Sequence, residues 1–483
     1  MLVFGLHALL GAMLGLSVDE AHYLLYAAHP ALSYFDHPPL VGWVQWPLVA
    51  WGAPVAVLRL IPGLLWLATV WGVYQLTIRL MVGQARADQS ALAAVLALAL
   101  APLLHVLGIG LLPDTLLMAL MVALMHQTWT LMQPGAADRT SSWLVLGVLM
   151  GLSGLAKYTA VFATFAVALC IVRAQGWGVL RRPALWGGVV VAALLISPVL
   201  VWNAQNDWIS FSYQLAHGKG SAWQIVHVMR FLVIQLVVFG PLMLFAVVGW
   251  RRTDHAKRML VWLFAIPFSI FAYMAGGGTA LPHWTAPSWV ALAPFAGMGL
   301  AHVWNSRARL VLSAIALVQA LVCVGLLGLM GSAGWPLVAG SDAAVALQPN
   351  PFADLHGWSA AGSRAADLAT QQGLQSVAVQ NWTLGSRLGW YARPLPVFVL
   401  QDGDSQFKLW AGSLPQDSGT LLVDWSYMAY DPPVGASGFE SCTLLETLAV
   451  RHWGRPLSSF RFYDCRGWAG ATPQPRLTLA PNS

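Results

Sequence analysis

Charge is scarce in this chain. Of its 483 residues only 9% are Asp, Glu, Lys or Arg, against about 25% in a soluble globular domain. That deficit excludes an ordinary soluble enzyme of this size. It also excludes a disordered chain, which needs high charge and low hydrophobicity. The formal net charge of +6 rests mostly on arginine, lysine being rare. The basic residues punctuate apolar runs and form no cluster, so nucleic acid is not an expected partner. There is no evident 20–50-residue repeat and no low-complexity tract, which excludes solenoid and array architectures. Cysteine is sparse, at four residues.

What the chain has instead is apolar surface: 58% of residues are hydrophobic, 25 are Trp, and the mean hydropathy is +0.65. A bilayer core takes about 20 apolar residues in a helix. Runs of that kind lie at 2–17, 57–79, 90–108, 113–132, 143–157, 159–173, 184–202, 226–249, 259–276, 286–303 and 310–330. The expectation is an α-helical polytopic membrane protein with about eleven transmembrane helices. The runs at 143–157 and 159–173 are short and nearly continuous. The stretch 38–55 is interrupted by Pro38, Pro39, Pro47 and Pro54 and reads as re-entrant or interfacial.

Positive residues favour the cytoplasmic side. With the first helix running outward, twelve Lys and Arg fall in inner loops and four at the outer side, Arg59, Lys157, Lys219 and Arg230. The amino terminus is then inside and the chain after residue 330 outside. The first helix has no charged leading region and reads as an anchor, not a cleaved signal. Two domains are expected, 1–330 in the membrane and 331–483 outside. The second holds 11 of the 19 acids and alternates helix patterns (359–372, 383–391) with strand patterns (376–380, 396–400, 421–425), as a small α/β domain does. Cys170 and Cys323 fall in spans as packing residues. Cys442 and Cys465 share the outer domain, where an oxidising compartment permits a bridge.

The membrane half carries eight acids. Asp88, Asp138 and Asp254 sit beside arginines in inner loops, as solvated charges do. The other five, Asp19, Glu20, Asp36, Asp114 and Asp207, map to the outer face, with His22, His29, His37, His105, His217 and His283. Ionisable groups beside lipid are costly and tend to be functional or paired. Asp19-Glu20 follows the first span directly. Adjacent carboxylates at a low-dielectric boundary suit a general base; one could equally cap a helix. Asp36-His37-Pro38-Pro39 can hold a divalent cation, or His37 can meet a phosphate; an Asx-capped turn is the plainer reading. His283 opens the tenth span on the same face. Lys157-Tyr158, between two short spans, offers a cation for a lipid phosphate, or a lysine snorkelling to the interface. Asp114 opens the fourth span as an N-cap, a site residue, or both.

The order of these motifs resembles the bacterial GT-C glycosyltransferases that include protein O-mannosyltransferases and lipid A aminoarabinose transferases. The residues carrying the resemblance are Asp19-Glu20, Tyr34 to Leu40, Leu112-Pro113-Asp114, Gly154 to Tyr158 and His283 to Pro287. It continues with Pro351-Phe352, Gly357-Trp358, Gln380-Asn381-Trp382 and Ser405 to Trp410. It implies a GT-C fold in the bacterial inner membrane. It also implies a polyprenyl-phosphate sugar donor, an envelope acceptor (glycolipid, polysaccharide or protein) and an inverting single displacement. Asp19 matches the base or acceptor-orienting acid and Glu20 the second acid of the mannosyltransferase pair. Asp36 matches a position that contacts a metal, with His283 as a second ligand. His37 stands where the aminoarabinose transferases carry lysine, which leaves Lys157, with Tyr158, as the phosphate candidate. The alternatives are a lipid-linked sugar transporter or flippase, and a non-catalytic envelope assembly protein. The absence of mid-membrane charges and of matching broken halves weighs against transport.

Overall fold

The computed structural model describes residues 1–220, 222–304, 307–334 and 350–470, with the side chains of His217 and Lys219 outside that description. Helices dominate the first two-thirds of the chain: α1 Leu2–Met13, α2 Val18–Ala28, α3 Leu60–Leu80, α4 Ala87–Ala99, α5 Pro102–Ile109, α6 Pro113–Leu131, α7 Thr140–Ala156, α8 Ala160–Gln175, α9 Pro183–Gln205, α10 Ile209–Lys219, α11 Ile225–Phe239, α12 Ala246–Arg252, α13 Trp262–Ala275, α14 Ala286–Val303 and α15 Ala308–Gly331. Each of the eleven apolar runs carries helix. They do not translate one-for-one into crossings. Among the described residues four helices are long and apolar enough to cross a membrane, or up to seven if each of three bent pairs is one span.

The bends have local causes. Pro102 brings no N–H to continue α4, and the chain turns by 74° into α5. At the end of α11 the chain turns by 98° at Gly240-Pro241, where Gly240 takes the left-handed backbone (φ 82). The proline-rich stretch forms only short helices, Leu40–Trp43, Trp46–Ala50 and Val55–Leu58.

Two compact units result. One comprises Met1–Gly11 and Pro30–Gly325, the other Ala12–His29 and Leu326–Ser483. The division differs from the sequence boundary at 330, because residues 12–29 group with the carboxy-terminal part. In the first unit α14 is buried from Ala286 to Ala301, as befits a helix that is apolar all round. A Cβ at Gly297 would come within 2.1 Å of the Ser90 carbonyl oxygen and one at Gly299 within 1.9 Å of Phe245's. Only glycine permits backbones so close. By contrast α9 leaves Val189, Leu194 and Val201 exposed, the pattern of a lipid-facing helix.

The second unit adds α16 Trp358–Gln371, β1 Val377–Val379, α17 Trp382–Tyr391, β2 Val397–Val399, α18 Gln406–Ala411, β3 Thr420–Trp425, β4 Phe439–His452 and β5 Arg455–Trp468. The sheet order is β2-β1-β3-β5-β4, with β1 parallel to β2 and β3, and β5 antiparallel to β3 and β4. The expected helices and strands up to residue 425 fall on α16, β1, α17, β2 and β3; the long hairpin β4–β5 adds an antiparallel half. Trp358, Trp425 and Phe460 pack together in its core. Cys442 and Cys465 face each other across β4 and β5 and form a disulfide, with Cα atoms 4.1 Å apart. Cys170 and Cys323 are buried free thiols.

Candidate active site

In the second unit the sequence Ser17-Val18-Asp19-Glu20 starts α2 with a capping box. Ser17 Oγ accepts from the Glu20 N–H, and Glu20 Oε2 accepts from the Ser17 N–H at 3.1 Å and its hydroxyl at 2.9 Å. Such reciprocal capping satisfies orphan donors at a helix start. Glu20 is buried and has this structural task, while Asp19 beside it is half-buried. The carboxy-terminal elements fix the segment further. Tyr391 Oη accepts from the Leu16 N–H at 3.1 Å, the Gly15 N–H donates to the Leu355 carbonyl at 2.8 Å, and His22 Nδ1 meets Ser386 Oγ at 3.2 Å.

Arg387, in α17 after Asn381's cap, is 1% exposed. Its guanidinium pairs with Asp354 and lies 4.3 Å from the centre of the Trp358 ring. Among the described residues its Nε has no hydrogen-bond partner. Burial holds the Asp354 carboxyl above the usual carboxylate range, Arg387 opposes the rise, and the nearby Asp19 charge adds to it. Burial likewise lowers Arg387, while Asp354 and Asp19 support its charge. Asp19 is thus in the electrostatic field of a buried arginine that the motif reading did not find. The signal was an arginine in the amphipathic stretch Trp382–Tyr391, on the face that otherwise supplies Leu384 and Leu388 to the core.

In the first unit three groups form. Lys157 caps the end of α7 in extended backbone, and the break before α8 exists at that residue. Its Nζ donates to both Asp114 oxygens at 2.7 Å, with side chains 6% and 2% exposed. His283 Nε2 lies 3.7 Å from the same carboxylate, and Trp284 presents its ring 5.4 Å from Nζ. Lys157 is therefore neither a snorkelling lysine nor a lone cation; it is one half of a buried ion pair. Asp114 occupies the first turn of α6 after Pro113, where the helix dipole favours an anion.

His37 Nδ1 pairs with Asp36 Oδ2 at 2.9 Å in the proline turn. The third group is α10, which the sequence reading left unassigned. Ser210 Oγ bonds Tyr158 Oη at 2.7 Å and Phe211 packs edge-on against the Tyr158 ring. On the same helix Tyr213 packs on Phe35, and Gln214 Nε2 donates to the Asp36 carbonyl. Burial and the Asp36 carboxylate raise the Tyr213 phenol. So α10 ties the Asp36–His37 turn to Tyr158. It begins after Asp207 and Trp208, both in left-handed backbone (φ 52 and 57).

Tyr158 and Phe211 also line an apolar cavity of about 620 Å³ between α7, α8 and α9. It follows α8 from Ala160 to Val172, a rise of roughly 18 Å. Its walls include Gly147, Gly154 and Gly188, and apart from Tyr158 and Thr164 they carry no polar side chain.

A metal fits this arrangement poorly. Asp36 is engaged with His37 and His283 with Asp114, and among the described residues no three His, Cys, Asp or Glu side chains are grouped to hold an ion. No chemical step is therefore routed through a cation. The sequence also did not single out His7, whose Nε2 meets His105 Nδ1 at 3.0 Å in a buried pair beside Trp66. This takes His105 into helix packing.

Residues 36–202 match the family described as dolichyl-phosphate-mannose-protein mannosyltransferase. The lipid A galacturonosyltransferase RgtD of Rhizobium johnstonii is 24% identical over 285 residues, 57% of this chain and 58% of that protein. The alignment thus spans less than two-thirds of that relative. ArnT from Cupriavidus metallidurans superposes over 98% of both chains in its apo state and in its complex with undecaprenyl phosphate, with TM-scores of 0.63 and 0.64 at 17% and 18% identity. At that identity the likeness shows the fold. The resemblance read from the motifs is upheld: residues 36–202 carry a domain of that mannosyltransferase family, within a chain that has the GT-C fold of ArnT.

Proposed function

We propose that this chain is an inner-membrane glycosyltransferase that moves a sugar from a polyprenyl-phosphate donor to an envelope glycolipid, polysaccharide or protein at the outer face. The observation that carries the reading is the apolar slot along α8, which ends at Tyr158, next to the Asp114–Lys157 pair. A slot of this shape suits part of an isoprenoid tail, the remainder lying in lipid. The phosphate then lies toward Tyr158 and His37, which α10 links. Lys157 uses two ammonium hydrogens on Asp114, and its third is the one left for an anion.

Asp19 is the base in this scheme. Its carboxylate takes the proton of the acceptor hydroxyl as that oxygen bonds the anomeric carbon. The bond from that carbon to the phosphate oxygen breaks on the opposite face, and the polyprenyl phosphate leaves with the electron pair. The configuration inverts. A phosphate leaves without protonation, so a second carboxylate acid is not needed, unlike in glycosidases. Glu20 acts through the cap that sets the start of α2, and Arg387 with Asp354 keeps the surroundings of Asp19 charged. The domain formed by 331–483, with residues 12–29, carries this base.

The test is transfer by the purified chain, with mass spectrometry of envelope glycans and lipids from cells with and without it. Asp19→Asn is expected to abolish transfer at unchanged membrane insertion and folding. Full activity in that variant would remove the assigned base. Movement of lipid-linked sugar across liposomes with no covalent transfer would favour the transporter reading.

A further inference from the structure

The β4–β5 hairpin ends in a two-residue loop, Trp453-Gly454, between the paired residues His452 and Arg455. Both loop residues have positive φ, 50 and 77. That is the turn in which Asn, Asp or Gly is inexpensive at the first position and a large side chain is not. Here the position is a tryptophan, 73% exposed. It is no part of the buried core of its own domain; among the described residues its ring stacks on His452, 5.0 Å away. Turn chemistry and packing therefore both fail to account for it.

The base of the loop is tied to a particular place. His452 Nε2 meets the carbonyl oxygen of Gly331, the last residue of α15, at 3.1 Å. His356 meets the Met330 carbonyl at 3.2 Å, with its ring 4.4 Å from that of His452. α15 has 24 residues and is among the four helices long and apolar enough to cross a membrane. At 1.5 Å per residue it is about 36 Å long, slightly more than a hydrocarbon core of about 30 Å. Its end therefore falls in the headgroup region. Tryptophan concentrates at that depth, and arginine beside it meets phosphate. Arg451 and Arg455 flank the loop, both exposed, and Arg451 Nη1 also donates to the Gly454 carbonyl at 2.8 Å.

We infer that the Trp453 loop is an interfacial anchor: the indole enters the headgroup layer of the leaflet where α15 ends, and Arg455 meets lipid phosphates there. The partner is the bilayer surface, with phospholipid headgroups as the ligand. The inference is independent of the transfer reaction. It accounts for the costly residue in the turn and for the pair of histidines that hold the loop at the helix end.

The test uses the full chain in nanodiscs of phosphatidylethanolamine and phosphatidylglycerol, with Cys170 and Cys323 replaced by alanine and a nitroxide on Trp453→Cys. Arg455→Cys is a second site should the first variant fail to fold. Val318→Cys, exposed on α15, is the lipid-facing reference, and Asp402→Cys, in an exposed loop, is the water reference. Collision with oxygen and with a water-soluble nickel chelate is read by power saturation. The loop label is expected to show several-fold less access to the chelate than the label at 402, at a depth between the two references. Chelate access equal to that at 402 would overturn the anchor. Equal access in nanodiscs joined to protection in native membranes would overturn it too, and would point to a protein partner.

Discussion

Consider removing Asp114 or Lys157. Their charged atoms are 2.7 Å apart, which at an effective dielectric of 20 corresponds to about 6 kcal/mol of attraction. Stripping water from the two ions costs several kcal/mol each, so the intact pair is close to neutral relative to two apolar residues. One ion without the other is the expensive state. Asp114→Asn strands a buried ammonium, and His283, 3.7 Å from the lost charge, is neutral or cationic and cannot replace it. Lys157→Met strands a buried carboxylate. Each single variant should lose roughly 3–5 kcal/mol, a population shift of about 10²–10⁴. The double variant Asp114→Leu/Lys157→Met should recover most of that loss. Equilibrium unfolding in mixed micelles can be followed with a thiol-reactive fluorophore, since Cys170 and Cys323 are buried in the fold. Single losses below about 1 kcal/mol, or additive losses in the double variant, would refute the buried pair. The folded double variant also separates the two roles of Lys157. If its third N–H meets the donor phosphate, donor KM rises although stability has returned.

Other expectations follow from the second unit. Arg387→Met should lower transfer per folded molecule, because it removes the cation beside Asp354 and Asp19, while Arg387→Lys should keep most of it; unchanged activity in the methionine variant would detach Arg387 from the site. Reduction of the Cys442–Cys465 bridge, which closes a 23-residue separation, should destabilise this unit by about 3 kcal/mol, measured by thermal unfolding with and without reductant. Burial and the neighbouring His452 lower the His356 pKa. A histidine depressed in the fold contributes stability above its ordinary value of about 6.5 and loses it as pH falls toward the folded value. Unfolding temperature should therefore drop on acidification below pH ~6.5, and His356→Gln should flatten that dependence.

Helix positions were legible because lipid contact demands continuous apolar sequence, which a single chain displays without reference to its neighbours. Breaks within them were less so. Pro102 and Gly240-Pro241 lie inside runs of the right hydropathy, and only backbone chemistry, not composition, makes them bends. The hairpin β4–β5 escaped notice for the opposite reason. Most of β4 is exposed or half-buried, so an edge strand carries no apolar alternation to detect. The grouping of residues 12–29 with the carboxy-terminal unit is a matter of tertiary hydrogen bonds, from Leu16 to Tyr391 and from Gly15 to Leu355, and no local pattern announces it.

The site residues divide along the same line. Sequence singled out the acids as a class, because an ionisable group beside lipid stands out from its surroundings. It could not say which would be used up in holding the fold. Glu20 and Asp19 are neighbours of identical charge, yet the register of Ser17-Val18-Asp19-Glu20 turns the fourth residue back onto the first and leaves the third half-buried beside a buried arginine. Asp114 and Lys157 are 43 residues apart, the one read as a helix cap or site residue and the other as a cation for a phosphate; together they neutralise one another. An ionisable residue within apolar sequence is thus a good marker of a group that the fold pairs or caps. The task of each group there depends on whether another charge reaches it first: α10 supplies contacts to Tyr158 and Asp36, and Arg387 on α17 supplies a charge near Asp19.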